Sequence, residues 1–223
     1  MNKEQLEKGT ELDIQYEKRG GRVPVVIKAK MTGSILLLYH VDEEAVRRAL
    51  NLGYVGFRNG IPFCEGYAPL QLTTAQILVD CDQDALVWEI NDWQSYDSLM
   101  RTTKDPVKFD ENGLAPVMVQ DVDTDFILML GYANQDALDE TIRSGHATFW
   151  STSRNELWIK GLTSGDVMNL EGIRAYHDEN AVLYRVAPSG GACHTRNTAG
   201  QTRQTCFYRR IVDGKLEFLP GME

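Results

Sequence analysis

The chain has 223 residues, 43% of them apolar by type, and a formal net charge of −9 from 32 acidic and 23 basic side chains. That length allows one domain or two small ones, and the acidic balance argues against a nucleic-acid partner while leaving room for a local basic patch that grips a single phosphate. No apolar run approaches the roughly 20 residues that span a bilayer and the start "MNKEQLEKGTELDIQYEKRGG" has no apolar signal core, so no membrane is expected, the expected location is the cytoplasm, and the four cysteines are expected as thiols or metal ligands.

After an N-terminal extension over 1–21, "VPVVIKAK" and "SILLLYHV" read as two strands separated by the polar break "MTG". A helix "EEAVRRALNLG" follows, with Asp42 as N-cap and Gly53 at the C′ position, and further strands end in "ALVWEI". Residues 93–112 read as a linker, because the stretch "SYDSLMRTTKDPVKFDENG", which runs on to Gly113, carries Asp, Pro, Asn and Gly that favour irregular connection. The same series then recurs over 113–223: "APVMVQDV", "FILMLGYA", Asn134 capping "QDALDETIRSG" with Gly145, and a last strand "AVLYRV". Residues 22–58 align with 114–150 without a gap, placing Pro24 on Pro116, Thr32 on Thr124, Ala45 on Ala137, Gly53 on Gly145 and Phe57 on Phe149 (24 + 92 = 116). "DCDQDALVWEI" at 80–90 aligns with "YHDENAVLYRV" at 176–186 (80 + 96 = 176). The expected fold class is therefore α+β: two tandem homologous units, over 22–92 and 113–223, each of mostly antiparallel sheet with one main helix.

The copies differ where chemistry is concerned. Cys81, Cys193 and Cys206 are candidate soft ligands, and three thiolates with an open fourth position suit a zinc ion that activates water. Cys64 in "GIPFCEGYAP" has no ligating neighbours and reads as a small buried hydrophobe. Asp80, Asp82 and Asp84 alternate, so on a strand they share one face with Cys81 on the other. Like charges so placed call for a cation, and hard oxygen donors suit magnesium; a solvated strand end or turn is the plainer reading. "STSRNELWIKGLTSG" in the second copy carries hydroxyls, Arg154, Lys160 and glycine-flanked amides, the equipment of a phosphate cradle and equally of a plain hairpin loop. His194, directly after Cys193, can serve as general base or sit idle on the surface.

With "LAPVMVQD", "LMLGYANQDAL", "FWSTSRNELWIKGLTSG", "GGACHT" and "CFYR" in the second copy and "DCDQDAL" in the first, the chain resembles the phosphoribosyl-AMP cyclohydrolases of histidine biosynthesis. The resemblance implies a hydrolase of cyclic amidines that opens the N1–C6 bond of 1-(5-phosphoribosyl)-AMP, with zinc on Cys81, Cys193 and Cys206 and magnesium on Asp80, Asp82 and Asp84. It implies His194 as the catalytic base and Ser151, Ser153, Arg154, Trp158, Lys160, Thr163, Ser164 and Gly165 as substrate contacts. It also implies a homodimer, here expected as a pseudo-two-fold dimer within one chain, which builds one composite site and can associate further. Two departures stand out. Twelve residues separate Cys193 from Cys206, where the family's loop is shorter, and His177 replaces the cysteine of the acidic motif and could itself ligate a metal. A related zinc hydrolase of another purine nucleotide and a non-catalytic nucleotide-binding relative are the competing expectations. No companion pyrophosphohydrolase domain is expected.

Overall fold

The computed structural model describes residues 4, 7, 9–55, 57–58, 61–62, 72–91, 102–103, 107–176 and 181–223. Cys64, His177, much of the linker expected over 93–112 and several positions of the N-terminal extension lie outside the described residues. The chain forms two units, Met1–Leu99 with Phe207–Glu223, and Met100–Cys206. Both are α+β and mostly sheet. No helix among the described residues is long and apolar enough to cross a membrane.

The first unit opens with a 3-10 turn at Tyr16–Arg19 and continues through β1 (Val23–Ala29), β2 (Ile35–Val41), α1 (Glu43–Leu52), the two-residue strands β3 (Tyr54–Val55), β4 (Phe57–Arg58) and β5 (Ile61–Pro62), then β6 (Leu72–Val79) and β7 (Leu86–Ile90). Asp42 caps α1 by accepting from the Ala45 amide at 2.9 Å, and Gly53 ends it with φ of 68°. In the sheet, β1 pairs antiparallel with β2 and parallel with β7, which pairs antiparallel with β6. The sheet is thus mostly antiparallel, as expected, with one parallel pair inside it. From β2 the chain crosses through α1 to the far edge, so the β6–β7 hairpin comes back beside β1 in the same direction. Every residue of β1 is buried, which accounts for the apolar run Val23–Ile27, and the buried Lys28 that follows is paired with Glu89 at 2.9 Å.

The second unit comprises β8 (Thr102–Thr103), β9 (Ala115–Asp121), β10 (Ile127–Ala133), α2 (Gln135–Ser144), β11 (Thr148–Ser151), β12 (Glu156–Ile159), β13 (Met168–Tyr176) and β14 (Ala181–Pro188). Its sheet runs β10-β9-β14-β13-β8, again with a parallel central pair, β9 and β14. The registers of the two units coincide. Val25 faces Tyr39 and Leu86, and Val117 faces Gly131 and Val182, each the aligned residue (25 + 92 = 117, 39 + 92 = 131, 86 + 96 = 182). Irregularities coincide as well: the break between Thr74 and Gln76 matches that between Leu170 and Gly172.

Tyr184 is wholly buried, accepts from the Thr141 hydroxyl at 3.2 Å and reaches the Thr148 carbonyl at 3.4 Å. The aligned pair in the first unit is Ala49 and Trp88 (49 + 92 = 141, 88 + 96 = 184). Burial pushes the Tyr184 phenol from 10.0 up to about 12. Because the folded state holds this proton more tightly, the associated stability is complete below pH 10 and is lost as pH rises through about 12. In denaturant melts across that range Tyr184→Phe is expected to remove about 2–3 kcal/mol of the stability lost, leaving the share of Tyr16, whose phenol burial also pushes up.

The chain then returns. Two last strands, β15 (Arg209–Val212) and β16 (Lys215–Phe218), form a hairpin whose first strand pairs with β6, Arg209 facing Val79. Residues 207–223, read in sequence as the end of the second copy, thus complete the first unit. The hairpin covers the open edge of β6. In the second unit the aligned edge, that of β13, is covered by Thr102 and Thr103 from the expected linker.

Candidate metal and substrate loops

In the first unit "DCDQD" is a tight turn between β6 and β7, where the sequence reading put alternating strand positions. Asp80 ends the strand with its own carboxylate: its Oδ1 accepts from the amides of Asp84 at 2.9 Å and Ala85 at 3.0 Å. The Asp80 amide donates to the Ala85 carbonyl at 3.2 Å, closing the turn. Asp80, Cys81, Asp82 and Asp84 are brought together, with Cys81 3% exposed and Asp80 8%. Burial drives the Asp80 carboxyl well above the usual carboxylate range, and the charges of Asp84 and Asp82 push the same way. A bound cation would act in the opposite sense.

Neighbours that the sequence reading did not single out hold this turn. The fully buried Arg209 donates through Nη2 to the carbonyls of Asp80 and Cys81, both at 3.0 Å, and stacks over the Tyr208 ring at 5.0 Å. Lys18 reaches Asp84 Oδ2 at 3.3 Å, with Arg19 at 3.8 Å from the same oxygen. Carboxylate oxygens of Glu7 and Asp82 lie within 4.8 Å of each other. Of these, only Arg209 carried a sequence signal, as the last residue of "CFYR".

The second unit carries the hydroxyl-rich and cysteine loops. Strands β11 and β12 form a hairpin in which Ser151 faces Glu156 and Phe149 faces Trp158. Ser151 and Ser153 hydroxyls lie 3.4 Å apart; Arg154, at the exposed hairpin tip, pairs with Glu156 at 2.6 Å and stands over the Trp158 ring at 5.9 Å. Lys160 is buried, and Thr163, Ser164 and Gly165 sit in an exposed turn closed by the Gly165 amide on the Gly161 carbonyl at 2.8 Å. This turn meets the cysteine loop through Asp166: a Cβ on Gly190 would fall 2.1 Å from Asp166 Oδ1, and the Ser189 amide donates to the Val167 carbonyl at 2.8 Å. Glycine at 190 is what lets the carboxylate lie against the backbone.

The long stretch between Cys193 and Cys206 folds back on itself. The Cys193 amide donates to the Arg203 carbonyl at 3.1 Å and the Arg203 amide to the Thr195 carbonyl at 3.2 Å, with a tip around Asn197–Gln201 closed by the Gly200 amide on Asn197 at 2.9 Å. Cys193 is buried, and its sulfur accepts the Thr195 amide at 3.4 Å and lies 3.1 Å from the Thr195 hydroxyl. That hydroxyl is in turn held by the buried guanidinium of Arg203 at 2.9 Å. The Thr195 amide is therefore in place to donate to a metal-bound sulfur. The exposed His194 brings a ring nitrogen within 4.8 Å of the Cys193 sulfur. Cys206 packs against the second core, its amide bonded to the Leu128 carbonyl at 2.7 Å.

The loops just described coincide with a known family signature. A phosphoribosyl-AMP cyclohydrolase family model matches residues 129–208. Among curated relatives, a phosphoribosyl-AMP cyclohydrolase of Hyphomonas neptunium is 48% identical over 111 residues, covering 50% of this chain and 80% of the relative. One of Archaeoglobus fulgidus is 49% identical over 105 residues, covering 47% of this chain and 92% of the relative. The histidine biosynthesis bifunctional protein HisIE of Thermus thermophilus is 47% identical over 117 residues, covering 52% of each. The chain belongs to the phosphoribosyl-AMP cyclohydrolase family. The family match contains both the hydroxyl-rich loop and the cysteine loop, and begins well after the acidic turn at 80–84.

Proposed function

We propose that the chain opens the purine ring of 1-(5-phosphoribosyl)-AMP by hydrolysing its N1–C6 bond, as a step of histidine biosynthesis. The observation that carries this reading is the family match over residues 129–208, which contains both the hydroxyl-rich turn and the cysteine loop, two segments that meet at Asp166 and Gly190. In this reading Cys81, Cys193 and Cys206 hold zinc, and Asp80, Asp82 and Asp84 hold magnesium. The donor chemistry fits both: sulfur with hydrogen-bond donors aimed at it suits zinc, and crowded carboxylates suit a hard cation. Zinc would supply Lewis-acid activation of water at neutral pH, and magnesium would neutralise phosphate charge. His194 takes the proton of the attacking water; Ser151, Ser153, Thr163, Ser164 and Lys160 bind phosphate, Gly165 shapes the turn that presents two of these hydroxyls, and Arg154 and Trp158 flank the substrate.

We read the two units as copies of one ancestral domain, paired as the subunits of a dimer would be, with one complete site between complementary losses. The coincident registers support duplication, as does the covering of 80% and 92% of two relatives by about half of this chain. The first copy keeps the acidic motif, the second keeps both cysteines of the loop, and Arg209, which holds the acidic turn, follows Cys206 by three residues.

The test is to purify the chain, measure zinc and follow ring opening spectroscopically. One zinc per chain with turnover of phosphoribosyl-AMP is expected. Two zinc ions per chain would overturn the single site, and turnover no faster than with AMP would overturn the substrate. Lys18 gives a second check, because its ammonium occupies the space beside Asp84 that a divalent cation would claim. Its side chain is 43% exposed, so the pair is weak. Lys18→Met is expected to lower the magnesium concentration for half-maximal turnover about 2- to 5-fold, read from a magnesium titration.

A further inference from the structure

We infer that the N-terminal segment Glu7–Gln15 is a working part of the acidic site, holding the Asp80–Asp84 turn in shape through Gln83 and Arg209, which act as positioning residues. The inference rests on reading this turn as the divalent-cation site.

The turn's own hydrogen bonds, among them the Gln83 amide on the Asp80 carbonyl at 3.3 Å, are joined by others from outside it. Gln83 is fully buried and adopts a left-handed φ of 53°, a conformation that a non-glycine residue keeps only when its surroundings impose it. Those surroundings are the N-terminal segment. The Asp13 amide donates to Gln83 Oε1 at 2.8 Å, Gln83 Nε2 donates to the Glu11 carbonyl at 3.1 Å, and the Gln15 amide donates to the Gln83 carbonyl at 2.7 Å. One glutamine thus serves three consecutive contacts along an otherwise irregular strand of chain. Beyond that, the segment is fastened to the C-terminal hairpin: the Tyr208 hydroxyl donates to the Glu7 carbonyl, Arg209 Nη1 to the Gly9 carbonyl at 2.9 Å, and the Leu216 amide to the Thr10 carbonyl at 2.9 Å. Arg209 is the hinge of the arrangement, since the same guanidinium carries the carbonyls of Asp80 and Cys81. The fastening also fixes Glu7 near Asp82, adding a carboxylate to the motif's own. Release of the segment frees Gln83 to leave the left-handed region, and the Asp84 and Ala85 amides that bind Asp80 Oδ1 then lose their alignment.

The test couples the two sides of the contact. Gln83→Met removes both side-chain hydrogen bonds at similar volume, and Asp13→Pro removes the single donor to Oε1; deletion of residues 2–15 is the severe form. Two readouts are taken on the zinc-loaded full chain: Mn²⁺ binding, and hydrogen exchange of the Asp84 and Ala85 amides. Each point variant is expected to weaken Mn²⁺ binding and speed exchange about ten-fold, and the double variant to do no more than either alone. Additive effects, or exchange at Asp84 and Ala85 unaltered by Asp13→Pro, would overturn the inference. Exchange needs neither substrate nor added cation, so absence of turnover in the unaltered chain would overturn the proposed function and leave this result standing.

Discussion

Replacing Cys81 by serine is expected to cut bound zinc below about a tenth of the unaltered level and turnover by about a thousand-fold or more. A serine hydroxyl is nearly the size of the thiol but a poor ligand for a borderline-soft ion. The fold is expected to survive, because Arg209 grips the carbonyl of Cys81 rather than its side chain. Zinc analysis beside a thermal melt separates the two effects: zinc lost with the melting temperature kept within a few degrees supports ligation. Zinc retention with full activity would remove Cys81 from the site and leave the acidic motif a relic of the first copy.

Gly161→Ala is expected to destabilise the second unit by about 3–4 kcal/mol and to raise KM for the phosphorylated substrate. Gly161 sits at φ of 82°, and an added Cβ would fall 2.1 Å from the carbonyl carbon and oxygen of Asp166 and 2.3 Å from the Val167 amide. Backbone cannot step aside as a side chain can, so the turn opens and Asp166 leaves the cysteine loop. Gly165→Ala is the control. Its φ of 84° is as unfavourable, yet nothing lies within 4 Å of the added carbon, so only the conformational cost of about 1 kcal/mol is expected. Equal denaturation midpoints for the two variants would show that the Asp166 approach is not rigid.

The likeness of the two units was legible in sequence because the residues that punctuate structure recur in both. Asp42 and Asn134, Gly53 and Gly145, and the aligned apolar runs marked strands and helices correctly in both copies. The parallel pairing of β1 with β7 was not legible, since nothing local distinguishes a buried strand's neighbours. The acidic motif left a strand and a turn both open in sequence, because Asp80, Asp82 and Asp84 alternate and Asp is common in turns; the Asp80 carboxylate, taking two amides of its own loop, makes it a turn. The N-terminal segment defeated pattern reading for the opposite reason. It has little periodicity, and its contacts to Tyr208 and Arg209 span 201 and 200 positions in sequence. Gln83, Lys18 and Glu7 escaped notice with it, whereas "CFYR" had already pointed to Arg209.

The return of Phe207–Glu223 to the first unit sets an order for synthesis. On the ribosome, where the chain emerges from its start, most of the first unit appears early but lacks the strand that covers β6 and the arginine that seats its acidic turn. The second unit, Met100–Cys206, is made before that hairpin emerges and can close while the first still waits with an exposed sheet edge. The half of the protein that is translated first is therefore the half that is finished last, and a nascent chain released short of its final hairpin would leave the ribosome as an aggregation hazard rather than as a weakened enzyme.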